Sequence, residues 1–452
     1  MITTYPQHYK RLLQIGIPIV IGQIGMIILG FADTLMIGWY GKNELAAAGF
    51  VNNMFNIGII FATGFSYGLT PIVGSAYGQG EKKMISSALR NSLYANMIIA
   101  VFLCLLFGIL YLNIGALGQP EELLPLIRPY FLVLLASIPF ILFFNAFKQF
   151  ADGITDTKIP MWILLGGNAF NIIFNYLLIY GKWGFPEWGL LGAGVATLGS
   201  RILMCVMAVI VFHTSRYKEY SRNFWSSIFD KAIFTRLNKL GWSVGLQMGM
   251  ESAAFNLSTL MIGWLGVNAL AANQIMLTIS QVTFMMYYGM GAAVSVQTSY
   301  YYGSAKVKET REVAMAGFHI ILLMIVIAII PLFSLREQIG SLFTNDADVI
   351  QMVSYLIFPF VVYQIGDGLQ IIYANALRGI ADVKKIIVHA FIAFFMVSLP
   401  LGYFFGFILE GGITGVWMAY PIGLSCAGIL FYNRFRKTTE QTLKKDITSS
   451  IS

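Results

Sequence analysis

Three acidic residues, Asp33, Glu251 and Asp367, lie deep inside long apolar stretches of this 452-residue chain. A carboxylate at membrane depth is costly, and such residues usually face a polar cavity or an ion pathway. The remaining acidic residues fall in loops or near the ends of apolar stretches. We therefore expect the chemistry of the protein at these three carboxylates, which can bind a cation or carry a proton.

Polar residues at helical spacing accompany the carboxylates. Tyr363 and Asp367 are four residues apart, which places a phenol and a carboxylate on one face of a helix. Oxygen ligands of this kind suit a hard cation such as Na⁺, and a carboxyl group removed from water is also a plausible proton carrier. From these residues alone, either Na⁺ or H⁺ can be the coupling ion. Asn171 and Asn175 form a second four-residue pair, for which hydrogen bonding between helices is an alternative explanation.

The composition is that of a membrane protein. The mean hydropathy is +0.72, and 11% of the residues are charged, against about 25% in soluble proteins. Twelve apolar segments are long enough for a helix to cross a bilayer, which takes roughly 20 residues, and their continuous apolar character favours helices over strands. The predicted spans are 14–38, 46–70, 91–113, 123–145, 160–180, 190–212, 241–264, 270–296, 314–334, 350–374, 386–408 and 412–432.

Lys and Arg are unevenly distributed over the segments that connect these spans. With the N-terminus in the cytoplasm, 24 of the 29 basic residues fall on the cytoplasmic side and four fall outside, while Arg201 lies within a span. This asymmetry predicts a multi-pass protein of the plasma (cell inner) membrane with both termini cytoplasmic. The net charge of +8 does not indicate nucleic-acid binding, because the basic residues are dispersed over seven segments.

The two halves of the chain resemble each other. TLMIGW at 34–39 recurs at 259–264, and GITDTK at 153–158 resembles GIADVK at 379–384. Each half holds six predicted spans, so equivalent helices run in the same direction, as in transporters built from parallel repeats. We predict an all-α membrane protein with twelve transmembrane helices in two homologous six-helix bundles. The predicted regions are an N-lobe at 1–213, a cytoplasmic linker at 214–240, a C-lobe at 241–433 and a cytoplasmic tail at 434–452.

The three carboxylates do not follow this repeat. At the offset of 225 residues, Asp33 corresponds to Ser258 and Glu251 corresponds to Met26. Asp367 has an apolar counterpart near position 141. The scaffold is duplicated but its ionisable groups are not, which indicates different tasks for the two halves.

Several motifs are similar to those of the multidrug and toxic compound extrusion (MATE) family, in its NorM-like branch. They are DTLMIG at 33–38, GQG at 78–80, NYLLIYG at 175–181, Glu251 in the seventh predicted span and DGLQIIYANALRG at 367–379. Their order and spacing extend the resemblance over essentially the whole chain. The resemblance implies an exporter of organic cations and other amphiphiles that is driven by inward movement of Na⁺ or H⁺.

The resemblance also implies roles for residues of the N-lobe. Asp33 would act in cation or proton coupling, beside a polar site formed by Asn171, Asn175 and, as a weaker candidate, Thr197. Arg201 either pairs with a carboxylate or extends toward a membrane interface, and we favour the interface. If the Arg201 side chain entered the N-lobe cavity, its positive charge would weaken the anionic field around Asp33.

In the C-lobe, the resemblance implies that Glu251, Asp367 and Tyr363 form a cation site that takes Na⁺ or a proton. For Tyr363, packing of an aromatic side chain is the alternative. Met248 is a departure, because some NorM-like members carry an aromatic residue one turn before the glutamate. That departure leaves the preference for Na⁺ open.

These features lead to a set of expectations about partners. We expect no cofactor other than the coupling ion, small organic cations as cargo, a lipid bilayer as surroundings, no nucleic acid, and function as a monomer. The alternative is a flippase for lipid-linked saccharides, which should carry more cationic cavity residues than the single Arg201 of the spans. An enzyme is not expected, because the four histidines show no metal spacing and no nucleophile motif is present.

The predicted topology places Ser226 on the cytoplasmic side. A cysteine at Ser226 should therefore be labelled by a membrane-impermeant thiol reagent only after the cells are opened. Lys182→Cys, in a predicted external loop, is the matched control and should be labelled in intact cells. Labelling of the Ser226→Cys variant from outside intact cells would overturn the topology.

Overall fold

Nearly all of the described chain is helical in a computed structural model of the protein. The structure describes residues 5–118, 120–214, 216–226 and 229–451, without the side chains of residues 116, 117 and 445–451. These ranges contain no β-strand, so the prediction of an all-α protein is confirmed. The residues outside the described ranges are 1–4 and 119 of the predicted N-lobe, 215, 227 and 228 of the predicted linker, and 452 of the predicted tail.

Among the described residues before 230 there are eight α-helices. They are α1 (Tyr5–Tyr40), α2 (Lys42–Ser66), α3 (Leu69–Gln79), α4 (Lys82–Leu112), α5 (Leu124–Gly153), α6 (Lys158–Tyr180), α7 (Gly189–Thr214) and α8 (Lys218–Ser226). The later helices are α9 (Lys231–Gly263), α10 (Val267–Gly303), α11 (Val307–Ser334), α12 (Arg336–Ile339), α13 (Ala347–Gly379), α14 (Lys384–Phe391), α15 (Leu399–Tyr403) and α16 (Gly412–Ile451). The stretches Ile392–Ser398 and Phe404–Ile408 have π-helical hydrogen bonding and continue the helix on both sides of α15.

Eleven helical segments among the described residues are long and apolar enough to cross a membrane. The remaining predicted span corresponds to α9, which is 33 residues long but carries more polar residues, including Glu251. Several helices also extend beyond their predicted spans. For example, α10 covers Val267–Gly303 where 270–296 was predicted, because hydropathy detects the apolar part of a helix and misses its polar ends.

The chain divides into two compact units. One unit is Ile21–Gly245, and the other comprises the chain up to Val20 together with the chain from Leu246 onward. In the first unit, α5 and α6 both pack against α7, and stacked aromatic rings fill part of the core between α2, α4 and α5. In the second unit, α13 packs against α10 and α16. These packed helices carry the polar residues described below.

The internal repeat is visible in the loops that follow α5 and α13. Thr155 and Ala381 occupy equivalent positions, and both have left-handed backbone conformations, with φ of 66° and 59°. In each loop the next residue, Asp156 or Asp382, donates its backbone N–H back to the preceding helix at 2.9 Å. A left-handed residue with such a bond is a common way to end a helix. The duplicated sequence therefore folds into duplicated helix ends.

Asp156 binds the segment that follows α7. Its Oδ2 accepts a hydrogen bond from the Tyr217 hydroxyl at 2.5 Å. The same atom forms an ion pair with Arg216 Nη2 at 2.8 Å. Burial and the contact with Asp156 raise the pKa of the Tyr217 hydroxyl above its ordinary value. Asp156 lies in a loop, as the sequence indicates, but it is buried and bonded.

Asp382 repeats this arrangement in the other unit. Its Oδ2 pairs with Arg434 Nε at 2.7 Å and accepts from the Thr438 hydroxyl at 2.7 Å. Both partners belong to α16, so the loop after α13 is tied to the last helix. In each unit, one loop carboxylate thus joins two elements that are distant in sequence.

Replacing either loop carboxylate should destabilise its unit. We expect Asp156→Asn and Asp382→Asn each to lower the free energy of unfolding by about 1–3 kcal/mol, because each removes the charged acceptor of an ion pair and of a hydrogen bond shielded from solvent. Thermal unfolding of the purified protein in detergent measures this. Glu219→Gln removes an exposed ion pair with Lys82 and should cost at most about 1 kcal/mol. Equal effects of all three changes would contradict the structural role.

Candidate functional site

Asp33 lies in α1 and faces polar side chains of α6. Asn175 Nδ2 donates to Asp33 Oδ1 at 2.5 Å, and Asn175 and Asn171 are bonded to each other at 2.9 Å. Thr197 of α7 contacts Asn171 at 3.2 Å. Both asparagines are buried, whereas Asp33 is half-buried. The structure thus brings together the four residues that the family resemblance assigns to the N-lobe.

The amide of Asn171 has two orientations that serve different neighbours. In one, its oxygen accepts from Asn175. In the other, its Nδ2 donates to Asp33 Oδ1 at 3.0 Å while its oxygen accepts from the Thr197 hydroxyl at 3.2 Å. The second orientation, with Asn175, aims two amide donors at one carboxylate oxygen, which is an arrangement suited to the ionised form of Asp33.

Arg201 of α7 belongs to the same cluster. Its Nη1 donates to Ser137 Oγ of α5 at 2.5 Å, and its guanidinium interacts electrostatically with Asp33 and Tyr130. The expectation that Arg201 extends toward a membrane interface is therefore wrong. The helix face on which a residue lies relative to its neighbours depends on how the helices pack, which the sequence did not reveal. The N-lobe cluster holds one acidic and one basic group.

Glu251 of α9 is held by two glutamine side chains. Its Oε2 accepts from Gln247 Nε2 at 3.2 Å and from Gln370 Nε2 at 3.3 Å. Asp367, one turn before Gln370 in α13, is 5% exposed and interacts electrostatically with Glu251. Within the described part of the chain, the Asp367 carboxylate makes no hydrogen bond. The structure therefore places the two C-lobe carboxylates in one cluster, in which Asp367 is buried and Glu251 is half-buried.

Tyr363 lies beside this cluster but has its own hydrogen-bond partner. Its hydroxyl is 2.5 Å from Ser280 Oγ of α10, and its ring packs near Trp417 and Tyr420. The phenol also interacts electrostatically with Asp367. The predicted shared helix face of Tyr363 and Asp367 is present, and Ser280 is an additional oxygen that the sequence analysis did not identify.

Arg378 is a buried cation that the sequence analysis missed, because it was counted with the cytoplasmic residues. It is the penultimate residue of α13 and is 5% exposed. One guanidinium nitrogen donates to Gln247 Oε1, and another donates to Asn375 Oδ1 at 3.3 Å. Asn375 and Arg378 follow Asp367 by eight and eleven residues, which places all three on one helix face. This spacing is the sequence signal that could have placed Arg378 near Asp367.

The second cluster is rich in oxygen atoms. Among the described residues, no group of three or more His, Cys, Asp and Glu side chains is arranged to hold a metal ion. The cluster instead offers two carboxylates, the hydroxyls of Tyr363 and Ser280, and Gln370 Oε1, which is buried and has no hydrogen-bond partner among the described residues. Oxygen ligands of this mixture suit a hard cation.

Helices of membrane-spanning length, a duplicated scaffold and carboxylates buried within it define a multi-pass membrane transporter. The chain belongs to the MatE family, whose sequence profile matches residues 18–177 and 244–404, once in each half. The chain is 32% identical to the Multidrug resistance protein NorM of Photobacterium profundum, over 99% of both chains. The predicted membership of the MATE family, in its NorM-like branch, is confirmed, and the protein is a transporter and not an enzyme.

Solved structures of this class share the fold. A MOP superfamily transporter from Pyrococcus furiosus superimposes with a TM-score of 0.86 at 21% identity, covering 96% of each chain. A multidrug resistance MATE family transporter in an outward-facing conformation gives 0.87 at 20% identity, covering 97% of each chain. A eukaryotic MATE transporter gives 0.84 at 16% identity, covering 98% of this chain and 99% of the other. At these identities the likeness shows the fold alone.

Proposed function

We propose that this protein is a secondary active multidrug efflux antiporter that exports organic cations and amphiphiles in exchange for Na⁺ or H⁺. The main support is the pair of buried polar clusters, one in each compact unit, built from different chemical groups. The relative from Photobacterium profundum, named for multidrug resistance, supports export of varied compounds. We also propose that it acts as a monomer, because each cluster is built within one compact unit of the chain.

Coupling is assigned to the Glu251 and Asp367 cluster. Two carboxylates that interact within a buried site repel each other when both are ionised. A proton or a hard cation that enters relieves this repulsion, and the oxygens of Tyr363 and Ser280 add ligands for Na⁺. Binding of the ion therefore changes the stability of the helices α9 and α13 that carry these groups, which is what a coupling site requires.

Cargo recognition is assigned to the Asp33 cluster. With Asp33 ionised, the carboxylate balances Arg201, and Asn171 and Asn175 orient it. When Asp33 takes a proton, the charge of Arg201 is no longer balanced and a cationic cargo is repelled. Arg201 thus weakens the anionic field around Asp33, as the sequence analysis anticipated, but it also sharpens release of the cargo.

The orientation of the protein follows from its basic residues. We propose that both termini lie in the cytoplasm and that the protein resides in the plasma (cell inner) membrane. If the buried Arg378 is no longer counted as cytoplasmic, the number of cytoplasmic Lys and Arg residues falls by one. The excess of basic residues on the cytoplasmic side remains large.

The alternative, a flippase for lipid-linked saccharides, is less well supported. Arg378, which lies just beyond the predicted span 350–374, adds a buried cation to the half-buried Arg201. Each of these arginines, however, interacts with a carboxylate, Asp33 or Glu251, and three carboxylates accompany the two cations. A cargo that carries pyrophosphate needs an excess of positive charge, which these clusters do not provide.

Transport of ethidium by proteoliposomes under separate Na⁺ and H⁺ gradients tests the proposal. Wild-type protein should export ethidium under at least one gradient. Glu251→Gln and Asp367→Asn should each abolish this dependence, and the double variant should be little worse than either single variant, because groups that act as one unit are not additive. If the loss of ion-dependent transport in the double variant equalled the product of the losses in the single variants, Glu251 and Asp367 would not share one site. Lipid-linked saccharide transfer without ethidium export would favour the flippase.

Binding of ethidium should depend on pH through Asp33. As the pH falls and Asp33 is protonated, the charge of its cluster rises from zero to plus one, so we expect ethidium affinity to decrease. In Asp33→Asn this dependence should disappear. Fluorescence titration of both purified proteins across the pH range measures it, with Glu251→Gln as the control that retains the dependence. An unchanged pH profile in Asp33→Asn would remove Asp33 from cargo binding.

A further inference from the structure

Arg378 is a buried charge for which the proposed transport cycle has so far no task. It lies in the last turn of α13, in the same unit as Glu251 and Asp367. Its Nε is buried and has no hydrogen-bond partner among the described residues. An arginine side chain stays protonated in proteins, so this site contains a permanent positive charge. A permanent charge in a buried position requires a nearby group of opposite sign.

Glu251 is that group, and Gln247 connects the two. The oxygen of the Gln247 amide accepts from Arg378, while the nitrogen of the same amide donates to Glu251 Oε2 at 3.2 Å. Glu251 also interacts electrostatically with Arg378. The amide can serve both charges only in this orientation, because reversing it would aim its nitrogen at a donor and its oxygen at a carboxylate. Gln247 is 1% exposed, so water does not compete for these bonds.

The electrostatic neighbours of the cluster are few. Glu251 interacts with Arg378, Asp367 interacts with Glu251, and the phenols of Tyr363 and Tyr287 interact electrostatically with Asp367. Two carboxylates and one guanidinium give a formal charge of minus one. Without Arg378 the same oxygens would carry a charge of minus two.

We propose that Arg378 is a built-in counter-ion that sets the charge of the cation site to minus one, so that the site accepts one monovalent cation and rejects divalent cations. A monovalent cation brings the cluster to zero. A divalent cation would leave an excess positive charge in a buried, low-dielectric site, which is unfavourable. The oxygen ligands alone would suit Ca²⁺ as well as Na⁺, so the selectivity comes from the arginine. This inference rests on the proposed function, in which Glu251 and Asp367 take the coupling ion.

Equilibrium binding of Na⁺ and Ca²⁺ to the purified protein in detergent tests the proposal without requiring transport. Arg378→Met should bind Ca²⁺ at least about tenfold more tightly than wild type does, and adding Asp367→Asn should remove this gain. Arg378→Lys keeps the charge and should behave like wild type. Arg311→Met, which removes a cation paired with Glu440 on the surface of the same unit, should leave the ratio of Ca²⁺ to Na⁺ affinity unchanged.

An arginine with only a structural role would give a different result. Its replacement would lower thermal stability and leave the ion selectivity as it was, and this outcome in folded Arg378→Met would overturn the proposal. Arg378→Gln, which keeps a donor for Gln247, is the second variant should Arg378→Met fail to fold, and it should show the same gain in Ca²⁺ binding. If neither Na⁺ nor H⁺ drives export but the Asp367-dependent gain is observed, the proposed function fails and the role of Arg378 stands.

Discussion

The cost of burying charge governs the rest of this structure. A carboxylate or guanidinium in a low-dielectric interior is tolerated only when hydrogen bonds and opposite charges compensate it. Asp33 has Asn175 and Arg201, and Glu251 has two glutamines and, through one of them, Arg378. Asp367 is the exception, because it is buried and lacks a hydrogen bond among the described residues. This lack of a partner supports the proposal that Asp367 is at the centre of the coupling site.

The same constraint explains why a duplicated scaffold carries unequal chemistry. The parts of the repeat that stabilise the fold are conserved between the halves, as the loops at Thr155 and Ala381 show. Asp156 and Asp382 then bind different partners in equivalent places, a tyrosine and an arginine in one unit and an arginine and a threonine in the other. The membrane-depth carboxylates have no such equivalents. Duplication supplied the framework, and the ionisable groups were placed on it separately.

The two clusters also differ in their balance of charge, which supports the different tasks proposed for them. The Asp33 cluster is neutral when its carboxylate is ionised, so protonation makes it positive. The Glu251 cluster is negative when both carboxylates are ionised, so a proton or a monovalent cation makes it neutral. In the proposed mechanism, protonation of the Asp33 cluster therefore lowers its affinity for a cation, whereas binding of a monovalent ion neutralises the Glu251 cluster. Each unit contributes one arginine to this balance of charge, Arg201 in one and Arg378 in the other.

The order of residues along the chain was enough to predict the helical class, the approximate spans, the repeat, the family and the three carboxylates. A membrane span is recognised from the composition of about twenty consecutive residues. A carboxylate in the middle of such a span is recognised from its position alone, so both can be predicted from a short stretch of sequence. Spacing of four residues was likewise enough to pair Asn171 with Asn175 and Tyr363 with Asp367. The surroundings of Arg201 and Arg378 could not be predicted in this way. They depend on how each helix is rotated relative to its neighbours and on where the helix ends. Only the tertiary structure decided that both guanidinium groups interact with carboxylates of the two clusters, since contacts between helices far apart in sequence determine which charges meet.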